Sequence, residues 1–111
     1  YYSPMVSLYY NSFGGARKLC FTELGYVSDD GYPPVPSNFG WAADTTVAEH
    51  AQWLGETVAL ARSDSRVRMI IVYNVDFTTY DTQSDPQAGY AILRPDGSCP
   101  ACATLRNAMG G

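Results

Sequence analysis

The residue pattern predicts a mixed α/β chain in which two parallel strands are linked through a helix. Two apolar runs, 18–24 and 67–75, read as strands, and the second is continuously apolar from Met69 onward rather than alternating. A continuous run belongs to a parallel strand covered on both faces. Between the two lies a capped segment with apolar residues at helical spacing. Strand, loop, helix, strand in that order reads as a right-handed βαβ unit. Both strands end in polar or aromatic residues, at the edge where parallel α/β folds bind ligands.

The chain opens with Ser3-Pro4, an N-cap followed by proline at the first helical position. Met5, Val6, Leu8, Tyr9, Tyr10 and Phe13 follow, and Gly14-Gly15 stops the element, which predicts a helix over 4–13. The first strand covers 18–24. The segment 25–46 carries Tyr26, Asp29, Asp30, Tyr32, three prolines, Phe39 and Trp41, and reads as a long loop without regular structure. Such loops are functional or disordered, and the aromatics and prolines favour an ordered one. Thr46-Val47-Ala48-Glu49 is a capping box. It starts a helix over 47–62 whose apolar face is Val47, Ala51, Leu54, Val58 and Ala61, with Ser63-Asp64-Ser65 as its end. His50 and Glu56 on this helix are expected to be solvated or locally paired. The second strand, 67–75, ends in Tyr73, Asn74 and Asp76. Gly89–Leu93 reads as a short extended segment and Arg94–Ser98 as a turn. A last helix is expected over 100–109, closed by Gly110-Gly111.

The totals narrow the function classes. A chain of 111 residues holds at most one domain, and 46% hydrophobic with 16% charged residues fits a globular one. The net charge of −4 offers no basic stripe, which argues against nucleic acid and anionic membrane as partners. No apolar run approaches the roughly 20 residues that span a bilayer. Nine Tyr, four Phe and two Trp exceed what packing alone asks for, and flat stacking surfaces for a ring-shaped ligand would use them. The start at Tyr1, with no basic n-region or signal-like apolar stretch, suggests a processed or truncated chain.

Two places carry candidate chemistry. Glu23, in Phe21-Thr22-Glu23-Leu24-Gly25, closes the first strand, where a carboxylate is costly to hold unless it is used or paired. An arginine partner or backbone N–H groups would account for it without any activity. Cys99-Pro100-Ala101-Cys102 begins the last helix, where a helix N-terminus favours the thiolate. It reads either as a redox dithiol or as a local or structural disulfide. Three cysteines leave at least one thiol over, and zinc is disfavoured because Cys20 is distant and the single His is on a helix.

The segment Lys18–Gly25, ending Phe-Thr-Glu-Leu-Gly, resembles the seventh strand of the clan A glycoside hydrolases. Asp85-Pro86-Gln87-Ala88-Gly89-Tyr90-Ala91-Ile92-Leu93, then Asp96-Gly97-Ser98 and Pro100-Ala101, is similar to their ending. The likeness covers essentially the whole chain and is nearest to cellulase-family-like proteins of secreted bacterial type. It implies a partial (β/α)8 barrel over 1–111: a helix plus the last two βα units. It implies an extracellular or cell-surface protein acting on a β-linked oligosaccharide or polysaccharide without a cofactor or metal. Glu23 would be the nucleophile of a retaining mechanism, attacking the anomeric carbon while a carboxylic acid roughly 5 Å away protonates the leaving oxygen. Tyr73 and Asn74 would contact the sugar, and Tyr26, Tyr32 and Trp41 would offer stacking surfaces.

The sequence departs from that pattern at the acid. The clan places it on the fourth strand, after an Asn, and no Asn-Glu pair occurs here; Glu49 and Glu56 sit on the helix. Asp29, Asp30 and Asp76 are the remaining stand-ins weighed for it. The chain alone therefore carries half of the catalytic pair, and its two strands cannot close a barrel. The rest of the barrel, or further copies of the chain, must cover those edges. The alternatives are a non-catalytic carbohydrate-binding or self-assembling module, and a CxxC redox protein.

Overall fold

A computed structural model describes residues 2–111. Its elements run α1 (Tyr2–Ser12), β1 (Leu19–Leu24), α2 (Val47–Ser63), β2 (Val67–Val72) and α3 (Pro100–Met109), with 3-10 turns at Ser37–Ala42 and Gln87–Tyr90. The two strands form one parallel sheet, pairing Leu19 with Val67, Phe21 with Ile70 and Leu24 with Val72. This is the mixed α/β order with parallel strands that the pattern predicts.

α2 starts where its capping box forms: the Thr46 hydroxyl accepts from the Glu49 N–H at 3.1 Å, and Glu49 Oε2 accepts from the Thr46 N–H at 2.9 Å. Its Ala51 and Leu54 pack with Ala101 and Leu105 of α3, and Leu24, Val58, Val72 and Ile92 close over them. The two helices cross at Gly55, where a Cβ would lie 2.9 Å from Thr104 Cβ. The Thr104 hydroxyl donates to Ala51 O at that crossing, at 2.7 Å. Gly110, at φ 87°, ends α3 in the left-handed conformation that glycine adopts without a Cβ penalty.

One face of the sheet carries this core. Side chains alternate along a strand, so Met69 and Ile71 point away from the face on which Val72 packs. They are 42% and 48% exposed. The expectation of a strand covered on both faces therefore does not hold for β2. Its apolar run faces helices on one side only.

Several boundaries differ from the sequence pattern. α1 begins at Tyr2, so Ser3 lies inside the helix rather than capping it. Pro4 is tolerated there because first-turn N–H groups have no intrahelical acceptor. β2 ends at Val72, not 75. The Tyr73 N–H still donates to Leu24 O at 2.8 Å, but Asn74 O and Val75 O then accept from Ile92 and Leu93 N–H at 3.1 and 2.9 Å. The backbone changes partner at that point and leaves the sheet. Gly89 and Tyr90 belong to a 3-10 turn rather than an extended segment, and the loop 25–46 contains a 3-10 turn of its own.

His50 is buried, not solvated. It is 1% exposed, its Nε2 has no partner, and Arg94 lies close enough to repel a second positive charge. Burial first, and then Arg94, lower its pKa from 6.5 to about 4, while a Tyr90 backbone hydrogen bond acts the other way. Glu56, by contrast, is exposed and accepts from Gln52 Nε2 at 2.7 Å. Arg94 itself is buried; its guanidinium donates to Asp30 O at 2.8 Å and to Ser28 O at 3.4 Å, and lies 5.2 Å from the centre of the Tyr32 ring. It fastens the loop after β1 to the segment that follows β2.

A base with a depressed folded pKa binds protons mainly in the unfolded chain between its two values. The contribution of His50 should therefore make stability fall as pH drops from about 6.5 to about 4, and this share levels off below. The share due to His50 is about 3 kcal/mol. Urea titrations across that window should show it for the native chain and lack it for His50→Gln. The paired carboxylates Glu49, Asp64, Asp81 and Asp96, whose pKa values are lowered by hydrogen bonds, contribute their loss below that window.

Candidate functional site

The C-terminal ends of both strands open into one cleft of about 690 Å³. β1 contributes Glu23 and Gly25, and β2 leads into Tyr73. Phe39 and Asn38 come from the first 3-10 turn, and Ser84, Asp85, Gln87 and Tyr90 from the segment after β2. The strands bring their last residues side by side because they are parallel and in register at Leu24 and Val72.

Gly25 makes this proximity possible. A Cβ at that position would strike the Tyr73 carbonyl oxygen and lie 2.8 Å from Tyr90 Cδ1. The chain after β1 thus presses directly on the residue after β2, a close approach only glycine permits. Tyr73 packs edge-on to Tyr90 with ring centres 5.8 Å apart and lies 6.5 Å from Phe77. Its hydroxyl donates to Gln87 Oε1. Gln87 in turn donates from Nε2 to Asp85 Oδ2 at 2.6 Å, so Tyr73, Gln87 and Asp85 form one chain of hydrogen bonds along the cleft wall.

The charges in the cleft have one sign. Glu23 is exposed and Asp85 half-buried, and no Lys, Arg or His is among the lining residues. The Tyr90 phenol keeps its proton firmly. Burial raises its pKa, and Asp85 and Tyr73 raise it further. The wall therefore pairs flat aromatic rings with carboxylate and amide groups, the combination that holds a polyhydroxylated ring by stacking and hydrogen bonds.

The residues singled out in the sequence fall in different places. Glu23 and Tyr73 both line the cleft. Asn74 lies beside it but is buried: its Nδ2 donates to Gln87 O at 3.0 Å and its Oδ1 accepts from the Phe77 N–H at 3.1 Å. Its amide holds the loop rather than facing a ligand. Trp41 is 68% exposed and lies 5.9 Å from Phe39, whose ring does line the cleft. Tyr26 turns to the opposite side, with its hydroxyl 2.7 Å from Thr57 Oγ1 and its ring edge-on to Trp53 at 5.6 Å. Tyr32 stacks on Tyr80 at 4.5 Å. Asp29 and Asp30 accept from the Asp44 and Val47 N–H groups, both at 3.3 Å, near the start of α2. Neither lines the cleft.

Cys99 and Cys102 are joined in a disulfide with Cα atoms 5.3 Å apart, at the start of α3, and Cys20 is free and exposed. Among the described residues, no group of three or more His, Cys, Asp or Glu is arranged to hold a metal, and no helix is long and apolar enough to cross a membrane.

Asp85, Gln87 and Tyr90 are the cleft residues that a search for chemistry in the sequence passes over. In the sequence they belong to the segment 85–93 with its family likeness, and no role attaches to any of them singly; the signal lies in their spacing. An acid, an amide and an aromatic at 85, 87 and 90 line one wall once a 3-10 turn folds them. No family model matches the chain, and neither a curated protein nor a solved structure does.

Replacing Gly25 by alanine must push the Tyr73 carbonyl away, because the obstacle is backbone on both sides. The substitution should cost about 1–3 kcal/mol in urea denaturation and shift the amide resonances of Tyr73 and Asn74. Gly40→Ala serves as the control, since nothing lies within 4 Å of a Cβ there.

Proposed function

We propose that this chain is the C-terminal part of a (β/α)8-barrel glycoside hydrolase of the clan A type, extracellular, acting on β-linked glycans with retention. The observation that supports it most is the meeting of Glu23 and Tyr73. A carboxylate at the end of one parallel strand and an aromatic hydroxyl at the end of the next share a cleft with no basic group. Glu23 is the nucleophile in this reading, Tyr73 contacts the sugar, and Phe39 with Trp41 extends an aromatic surface beside it. The disulfide at Cys99 and Cys102 favours an oxidising compartment.

A retaining mechanism needs a second carboxyl to protonate the leaving oxygen. A groove of about 370 Å³ runs along β1 from Leu19 to Glu23, walled by Met5 and Tyr9 of α1 and by Phe13 just after it. Polypeptide that occupies it would end next to Glu23, where the acid is needed. That polypeptide is the remainder of the barrel or another copy of this chain. The exposed Met69 and Ile71 support the same assembly, since covering the half of each side chain that meets solvent is worth about 1 kcal/mol.

The alternative of a non-catalytic glycan-binding module is favoured by one feature: Asp85, the other carboxylate of the cleft, is already engaged by Gln87. The two readings part on a substrate whose leaving group needs no acid. With a 2-deoxy-2-fluoro-β-glycosyl donor carrying dinitrophenolate, Glu23 Oε would bond to the anomeric carbon as the bond to the phenolate oxygen breaks. The phenolate leaves with the electron pair. Mass spectrometry should find the glycosyl ester on Glu23 and none in Glu23→Gln. A panel of such donors that leaves Glu23 unmodified, while cellobiose still binds, would favour the module.

Assembly has its own test. Sedimentation at rising concentration should reveal species heavier than the 12.1 kDa chain, and Ile71→Lys should abolish them. A stable monomer with full glycan affinity would remove the need for the missing surface.

A further inference from the structure

We infer that Tyr73 meets its ligand as a hydrogen-bond acceptor, so that the cleft selects ligands rich in donors, polyols or amines, and turns anions away. The choice of a sugar as that ligand rests on the glycan reading; the polarity of the wall does not.

The protons along this chain of hydrogen bonds have fixed places. A carboxylate only accepts, so Asp85 Oδ2 fixes which end of the Gln87 amide is the NH2 group, at 2.6 Å. The other end, the carbonyl oxygen, then faces Tyr73 Oη. An amide oxygen cannot donate, so the phenolic proton of Tyr73 points to Gln87. What Oη has left for the cleft is lone pairs.

The neighbouring wall is turned the same way. The Ser84 hydroxyl donates to Asp81 Oδ2 at 2.6 Å, and Asn38 Nδ2 donates to Ser84 O at 3.3 Å. Glu23 adds two further acceptor oxygens. The protons left to offer are those of the Tyr90 hydroxyl and the second amide protons of Asn38 and Gln87, and no cation lines the cleft. A sugar with free vicinal hydroxyls can donate to such a wall. A uronate or phosphate would place acceptors against acceptors and negative charge against Glu23 and Asp85.

Fluorine separates the two polarities, because a deoxyfluoro sugar keeps a weak acceptor where the hydroxyl was and loses the donor. Titrations of the isotopically labelled chain, followed by NMR, should use cellobiose and its monodeoxy and monodeoxyfluoro analogues. At the hydroxyl facing Tyr73, both analogues should lose about the same factor, on the order of tenfold. Tyr73→Phe should bring parent and deoxy analogue to equal affinity. In Gln87→Leu the phenolic proton of Tyr73 loses its acceptor and is free to point into the cleft. There the fluoro analogue should recover relative to the deoxy one.

A fluoro analogue that binds the native chain as tightly as cellobiose would overturn the inference and leave the glycan reading intact. If no disaccharide binds, but methylammonium shifts the cleft resonances and acetate does not, the polarity stands and the glycan reading falls. Acetate binding in the cleft, or no response to any of these ligands, overturns the polarity as well.

Discussion

The change of hydrogen-bond partner at Tyr73 is the constraint on which the cleft depends. Up to Leu24 and Val72 the two strands run side by side. From Asn74, two residues on, the chain gives its carbonyl groups to Ile92 and Leu93 instead. That exchange draws the segment carrying Asp85, Gln87 and Tyr90 across the end of the sheet. Gly25 is what lets it happen at such short range, since the backbone after β1 and the Tyr73 carbonyl occupy the space a side chain would need. A cleft of this kind is made by backbone geometry first, and its side chains are held in place by a short polar relay.

A second constraint holds the loops above the sheet. Arg94 is buried without a carboxylate partner; its two terminal nitrogens donate to carbonyl oxygens of the two loops it joins, its Nε has no partner, and the Tyr32 ring lies beside it. A buried guanidinium is tolerated only when several acceptors surround it. Moving either loop would strip it of acceptors, so the loops are fixed relative to each other. His50 lies close by and is kept neutral by the same surroundings. Burial first, and the Arg94 charge second, make this region sensitive to acid.

The sequence made the sheet and its C-terminal edge legible, because those features rest on local and short-range patterns. The continuous run Met69–Val72, the Thr46–Glu49 box and the helical spacing of Ala51, Leu54, Val58 and Ala61 each act within a few residues. Tyr26 and Asn74 show where such reading stops. Both are polar or aromatic residues just past a strand end, the pattern expected of ligand contacts. Their side chains are nevertheless claimed by Thr57 and Gln87, 31 and 13 residues away. His50 fails for a related reason: its helix face is set by loops from distant parts of the chain. Asp85, Gln87 and Tyr90 stand in the sequence only as members of the segment 85–93, and it is a turn that brings them to one wall.

The bare face of the sheet bears directly on Glu23. Val72 is packed by α2 and α3, while Met69 and Ile71, one residue out of phase, meet solvent. A two-stranded sheet also leaves an outer edge on each strand without partners, which invites further strand pairing. Both deficits are relieved by the same addition, since strands joined to β1 would continue the sheet and curl over the exposed apolar residues. The groove on the β1 side ends at Glu23. On the proposed reading the carboxylate lies at the end of an open groove, and whatever supplied its partner carboxyl would also stabilise the sheet. On the proposed reading, folding of the whole and assembly of the catalytic pair would be one event, which is why a lone chain could bind a glycan and still leave its leaving group unprotonated.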